Sequence, residues 1–250
     1  MTMQLLELDD YDRDRYTRQM LLDGWGEVGQ RRIKNSSVFV AGAGGLGSPV
    51  SMYLAAAGVG KISLCDADTI ELSNLNRQIL HSDNRLHQLK AFSAERTLRE
   101  MNPSICIDVF TEYLDQHNAE RIIGTPDIIV DCLDNYATRY LLNAYCIDHH
   151  IPLVHAAVWG LMGQISFIDP PETPCLRCIF SEAPPKGVFP VLGATPGVIG
   201  SLQAMETLKF LAGVGDLLKG RLLLFDGEDM SITMLTVKHL SGCPACGGGA

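Results

Sequence analysis

Residues 37–66 constrain the fold more than any other stretch of the chain. Ser37 to Ala41 reads SVFVA, a short apolar run of the kind buried on both faces of a sheet. Glycines follow directly in Gly42-Ala43-Gly44-Gly45-Leu46-Gly47, and an Ala-rich stretch from Leu46 to Ala57 has the composition of a helix. A second strand, Lys61 to Cys65 (KISLC), ends at Asp66. Strand, glycine turn, helix and strand in immediate succession form a crossover unit, the signature of a parallel sheet. With 250 residues, 46% of them hydrophobic, the chain suits one large α/β domain or two small ones, and its composition argues against disorder.

The rest of the chain continues the alternation. Residues 11–35 read as two helices broken at Gly24–Gly26. A helix is expected over residues 88–101, stopped at Asn102-Pro103, then a strand at 105–110 and a helix at 118–123. Residues 127–131 (DIIVD) form a third buried strand, followed by a helix over 135–149 and a strand over 152–156. The character changes after Trp159, since residues 163–169 alternate like an antiparallel strand. Residues 170–190 hold six of the twelve prolines and read as a long irregular excursion. Thr195-Pro196 reads as an N-cap and first helical residue, opening a helix to about Ala212. Strands near residues 222–225 and 232–237 close the chain. The fold class expected is α/β: a Rossmann-like mixed sheet flanked by helices, with a C-terminal antiparallel extension.

The formal net charge of −9 argues against a nucleic-acid partner, which needs a basic face. No apolar run reaches the roughly 18 residues of a membrane span, and the acidic start MTMQLLELDDYDRDR is unlike a secretory signal. A cytoplasmic location is therefore expected. Of the eight cysteines, Cys65, Cys106, Cys132 and Cys146 are scattered in apolar surroundings, and the other four form two CxxC pairs.

Four motifs carry chemistry. The glycine turn lets backbone approach a phosphate at a helix N-terminus, and Asp66 sits where an acid binds ribose hydroxyls; by themselves these point mostly to NAD or FAD. Ser73-Asn74-Leu75-Asn76-Arg77-Gln78, followed by Lys90, adds cations that hydride transfer does not require. Cleavage of a triphosphate does require them, because charge builds on phosphate oxygens; a solvated loop and helix face is the alternative. Asp131-Cys132-Leu133-Asp134-Asn135 ends the third buried strand, where Asp134 either holds Mg²⁺ beside phosphates or caps the next helix. Cys175/Cys178 and Cys243/Cys246 have the pairing of a closed, structural Zn²⁺ site, with redox or unpaired thiols as the alternative.

Taken together these residues closely resemble the MoeB/ThiF/HesA family of ubiquitin-activating-enzyme-like adenylyltransferases. The matching pieces are Arg15-Tyr16-Thr17-Arg18-Gln19, GAGGLG, Asp66-Ala67-Asp68, SNLNRQ, Lys90, DCLDN, GVIGSLQAMETLK at 197–209, and Gly242-Cys243-Pro244-Ala245-Cys246-Gly247. They run in order from about residue 11 to 247. The resemblance implies a mixed eight-stranded sheet, a homodimer, and ATP bound by Gly45, Asp66, Ser73, Asn74, Leu75, Asn76, Arg77 and Lys90. It implies Mg²⁺ at Asp134 with Asn135 beside it, Arg18 reaching the partner subunit's nucleotide, and Zn²⁺ on Cys175, Cys178, Cys243 and Cys246.

The expected activity is ATP-dependent adenylation of the C-terminal glycine of a small ubiquitin-like sulfur carrier ending in Gly-Gly, of the molybdopterin-synthase or thiamin type. The group acting on the nucleotide would be Arg77, Lys90, Asp134 and Arg18, with a separate sulfur donor completing the carrier. One domain is expected, residues 1–160 handling nucleotide and 161–250 handling carrier and zinc. Many relatives carry a cysteine in the loop before the GVIG helix. Here Pro184-Pro185-Lys186-Gly187-Val188-Phe189-Pro190 has none, which puts a covalent sulfur step in doubt. The rival readings are a dinucleotide-dependent oxidoreductase and a degenerate binding scaffold. All seven histidines read as structural, His155 as a satisfied core residue and His149-His150 as a helix end. The Gly247-Gly248-Gly249-Ala250 tail reads as a disordered end.

Overall fold

The computed structural model describes residues 5–183, 187 and 189–247. Pro184, Pro185, Lys186 and Val188 of the cysteine-free loop, the first four residues, and the tail from Gly248 lie outside the described residues.

The chain opens with helices α1 (Asp10–Met20) and α2 (Gly26–Lys34). Asp9 caps α1 through the Asp12 N–H at 2.9 Å, and Asp12 returns the bond to the Asp9 N–H at 3.1 Å. Strand β1 (Ser37–Ala41) leads through the glycine turn into α3 (Gly47–Ala57) and back to β2 (Lys61–Cys65). Then come α4 (Lys90–Met101), β3 (Cys106–Phe110), α5 (Ala119–Ile123), β4 (Ile128–Asp131), α6 (Tyr136–His149) and β5 (Leu153–Trp159). The antiparallel part follows: β6 (Met162–Ile168), the one-turn helix α7 (Leu176–Ile179), the long α8 (Ala194–Ala212), β7 (Arg221–Asp226) and β8 (Ser231–Thr236).

All eight strands form one sheet in the order β3-β2-β1-β4-β5-β6-β7-β8. The first five pair in parallel and the last three join antiparallel. Strand side chains alternate between two cores, as the two-residue repeat demands. Val38 and Val40 of β1 face the core built with α3, α4 and α8, where Val50, Leu54, Leu98 and Ile199 are fully buried. Phe39 and Ala41 face the opposite core with α5, α6 and α7, among Ile122, Leu142 and Leu176. A chain that leaves β1 for β2 on one side and later lays β4 on the other must open a crevice between the carboxyl ends of β1 and β4, the switch point of such sheets.

Three expectations need correcting. Thr195 is not an N-cap: α8 begins at Ala194, Gly193 precedes it without a side-chain cap, and the Thr195 hydroxyl donates to the Gly160 carbonyl at 2.9 Å. The hydroxyl thus ties α8 to the β5–β6 hairpin, a long-range bond that local pattern does not disclose. Cys106 is exposed and not in apolar surroundings, because β3 is an edge strand. The excursion after residue 170 contains α7, a turn of helix that starts after Cys175 and includes Cys178.

Candidate functional site

The glycine turn leaves β1 at Gly42 and enters α3 at Gly47, and both glycines are sterically required. A Cβ on Gly42, whose φ is +102°, would lie 2.8 Å from the Cys132 carbonyl oxygen; one on Gly47 would lie 1.9 Å from that of Gly42. The turn therefore folds tightly on itself against the end of β4. No side chain caps α3, so its N-terminal dipole at the crevice is available to an anion.

Asp66 ends β2 beside this turn. Its carboxylate accepts from the Ala43 N–H at 2.8 Å and the Asp68 N–H at 2.9 Å. Burial pushes its pKa up, against the opposing pull of Lys90 and these two N–H groups. Lys90, first residue of α4 and nearly buried, reaches Asp68 at 3.0 Å, while the Tyr113 hydroxyl donates to the other Asp68 oxygen at 3.1 Å. Ala67, Asp68, Thr69, Glu71, Asn74, Lys90 and Tyr113 line an open cleft of about 430 Å³, within the size range of small-ligand sites.

The segment between Asp66 and α4 closes one side of the site. Asn74 is buried and bonds the Glu71 N–H at 3.1 Å, and Ser73 lies 3.4 Å from the Glu71 carboxylate. Arg77 folds back onto the Ser73 carbonyl and the Asn76 side chain, both at 2.9 Å. A Cβ on Gly45 would lie 3.5 Å from Arg77 Cγ and 3.3 Å from Pro196 of α8, so turn, arginine and helix meet there. Leu75 is half-buried and Asn76 exposed, with the Asn76 carbonyl pressed under Gly193.

At the end of β4 the helix cap falls to the neighbour of Asp134. Asn135 caps α6, accepting from the Thr138 N–H at 2.9 Å. Asp134 is exposed and has no hydrogen bond or ion pair among the described residues. Behind it lies a buried network. Asp131 Oδ2 is 2.7 Å from His155 Nδ1 and 3.3 Å from Arg139 Nε, and Arg139 Nη2 donates to the Ala156 carbonyl at 3.0 Å and to the Leu133 carbonyl. Burial alone would raise the Asp131 pKa, but the Arg139 charge and the His155 bond hold it low. Burial holds His155 below its ordinary value despite Asp131, so the ring is neutral and donates from Nδ1.

Arg18 is not brought to the site. It is exposed on α1, and α1 packs at the far end of α3: Gln19 donates to the Ala57 carbonyl at 2.9 Å, and the Tyr16 ring fills the space beside Gly58. The eleven residues of α3 put about 16 Å between that end and the glycine turn.

Cys175, Cys178, Cys243 and Cys246 converge, their sulfurs all within 4.8 Å of one another. The separations are 3.7 Å for Cys175–Cys243, 3.5 Å for Cys178–Cys246 and 3.9 Å for Cys175–Cys178. A tetrahedral Zn²⁺ with bonds of about 2.3 Å places its sulfurs about 3.8 Å apart, so the set fits. It joins α7 to the C-terminal segment, remote from the crevice in sequence and free of an open ligand position.

Sequence reasoning passed over Tyr113, Asp68 as a partner of Lys90, the Asp131–Arg139–His155 network, and His81. The spacing of Arg139 four residues after the cap was visible; nothing in the sequence paired it with Asp131. A second cleft of about 470 Å³, lined by Val28, Arg31, Arg32, Asp127 and Phe210 among others, lies by the amino ends of β1 and β4, away from these groups.

The sequence profile of the ThiF family matches residues 16–245. The SAMP-activating enzyme E1 of Haloferax volcanii is 42% identical over 250 residues, covering 98% of this chain and 92% of the relative. The sulfur carrier protein adenylyltransferase of Thermus thermophilus is 42% identical, covering 94% and 90%. The adenylyltransferase and sulfurtransferase MOCS3 of Drosophila willistoni is 44% identical over 96% of this chain, which spans only 54% of that longer relative. Escherichia coli MccB, solved with ATP, superposes with a TM-score of 0.82 at 24% identity over 96% of this chain and 76% of its own, and shows the shared fold. No helix among the described residues is long and apolar enough to cross a membrane.

Proposed function

The chain belongs to the ThiF family, and from that premise we propose that it is an adenylyltransferase, activating the C-terminal carboxylate of a small ubiquitin-like sulfur carrier with ATP. What supports this reading is that Asp66 and Arg77 touch the glycine turn, and Lys90 bonds Asp68 beside it, in a chain that nearly spans two relatives named for carrier activation. An oxidoreductase leaves Arg77, Lys90 and the four cysteines without a task, and a scaffold has no need of the phosphate-binding set.

The carrier's Gly-Gly tail enters the crevice, and its carboxylate, ionised at neutral pH, needs no general base. One carboxylate oxygen bonds to the α-phosphorus of ATP, the bond to the bridging oxygen breaks, and pyrophosphate leaves an acyl-adenylate. The glycine turn and α3 N-terminus hold phosphate oxygens, with Gly45 at the point of closest approach. Asp66 binds the ribose, with Ser73, Asn74, Leu75 and Asn76 forming the adjoining wall. Arg77 and Lys90 neutralise the charge that develops on the phosphates. For this Lys90 exchanges its bond to Asp68 for one to phosphate. Mg²⁺, held at Asp134 beside Asn135, would supply further charge neutralisation. Arg18, too far from its own turn, serves the nucleotide of the partner subunit in a homodimer. Zn²⁺ on the four cysteines pins the C-terminal segment, so residues 1–160 act on nucleotide while residues 161–250 receive the carrier.

The carrier leaves as the adenylate, and a separate sulfur donor converts it to the thiocarboxylate in a cytoplasmic molybdenum-cofactor or thiamin pathway. Cys65, Cys132 and Cys146 are buried with raised pKa values, burial being the main cause, and make poor nucleophiles. The test is pyrophosphate–ATP exchange that depends on a carrier ending in Gly-Gly. Asp134→Ala should abolish the exchange with the fold intact, because Asn135 keeps the helix cap. Release of ADP and phosphate would sink the proposal.

A further inference from the structure

We propose that His81 is a positioning residue that holds the glycine turn in its phosphate-binding shape through the Ala43 carbonyl. The inference rests on the adenylation reading above. Ala43 is fully buried in the middle of the turn, and both its polar groups are taken: its N–H by Asp66 at 2.8 Å, its carbonyl by His81 Nε2 at 3.0 Å. A peptide unit is planar and trans, so its C=O and the following N–H point in opposite directions. Fixing the Ala43 carbonyl toward the buried imidazole therefore turns the Gly44 N–H away from it. Losing the bond frees that peptide to rotate and leaves a buried carbonyl unpaired.

The proton inventory is determined. A carbonyl can only accept, so Nε2 carries the hydrogen and Nδ1 of the neutral ring must accept. Its partner is the Ser93 hydroxyl at 3.0 Å. Ser93 in turn receives Arg85 Nη1 at 3.3 Å, leaving its own hydrogen for His81. Burial favours the neutral ring, pulling the His81 pKa to about 4.

The position of the imidazole makes it a junction. His81 closely follows the segment bearing Asn74 and Arg77, Ser93 lies in the first turn of the helix that Lys90 begins, and Ala43 belongs to the turn itself. One side chain thus couples three segments that approach the nucleotide. At 8% exposure it is placed to orient them, not to touch the substrate.

The experiment compares wild type, His81→Leu, His81→Gln and Ser93→Ala, as full-length protein, in pyrophosphate–ATP exchange, with calorimetric binding of a non-hydrolysable ATP analogue and thermal melting alongside. His81→Leu should raise the KM for ATP and the analogue Kd by about ten-fold, the scale of one lost buried hydrogen bond with an unpaired partner. His81→Gln, whose amide nitrogen can donate to the same carbonyl, should restore both to within about two-fold of wild type, and Ser93→Ala should fall between. A His81→Leu protein that melts earlier yet keeps wild-type KM and Kd overturns the proposal, because His81 would then support only the fold. So does a His81→Gln protein no better than His81→Leu. Should His81→Leu fail to fold, an unchanged analogue Kd in Ser93→Ala overturns it. Absence of exchange in wild type strikes the adenylation reading alone, since analogue binding by the variants still reads the turn.

Discussion

Arg139→Leu probes the buried network behind the crevice. Arg139 and Asp131 are 4% and 1% exposed at the side chain, so the substitution leaves a carboxylate in the interior with no opposing charge, held only by the neutral His155 imidazole and the Leu133 N–H at 3.0 Å. Breaking a buried pair by removing one partner costs roughly 3–5 kcal/mol. The Leu133 and Ala156 carbonyls also lose a donor, each loss costing about 1 kcal/mol or more and not fully additive with the first. A destabilisation of about 4 kcal/mol follows, which in a chain this size lowers the Tm by roughly 8–16 °C. Urea unfolding at pH 7.5 measures it, and a double-mutant cycle with Asp131→Asn isolates the pair. The double variant should be clearly more stable than the sum of the two single losses, since neither then strands a charge. A single-variant loss under about 1 kcal/mol, or a cycle coupling near zero, would refute the reasoning. Exchange activity should fall as well, because the Leu133 carbonyl that Arg139 holds is adjacent to Asp134.

Three further outcomes are expected. Protein prepared without chelators should carry about one Zn²⁺ per chain, and Cys243→Ser should lower its Tm more than its exchange rate; metal analysis finding none would remove the site. His81 is held neutral to about pH 4 when folded, against an ordinary value of 6.5, so the unfolded chain binds its proton first; the His81 contribution to stability should fall by about 3 kcal/mol as pH drops from 6.5 to 4, so that wild type loses more stability over this window than His81→Gln, in which His155 still titrates in the same sense. Urea midpoints that change equally with pH in wild type and His81→Gln would contradict this. Mixing inactive Arg18→Ala with inactive Lys90→Ala should restore part of the activity, as one complete site forms per mixed dimer; no recovery would place the Arg18 role within its own subunit.

Features that depend on neighbours along the chain were legible in the amino-acid order. β1 and β2 fall on the residues expected, because five-residue runs rich in β-branched and apolar side chains, closed by glycine or aspartate, are too short for a helix. The glycine turn, Asp66, the Arg77 segment and the CxxC pairs were visible as candidates because close backbone approach, the acid at a strand end and paired thiols each show as particular residue types at short spacing. The tertiary structure alone decided what depends on residues far apart. Asp134 and Asn135 are adjacent and both fit a helix cap, and only the backbone path out of β4 gives the cap to Asn135. Thr195 looked like a cap until the β5–β6 hairpin supplied a carbonyl for its hydroxyl. Asp131, Arg139 and His155 lie on a strand, a helix and the next strand, and His81 meets Ala43 from 38 residues away. Buried polar groups must find partners wherever the packed chain provides them, and that provision is a property of the fold, which no local pattern encodes.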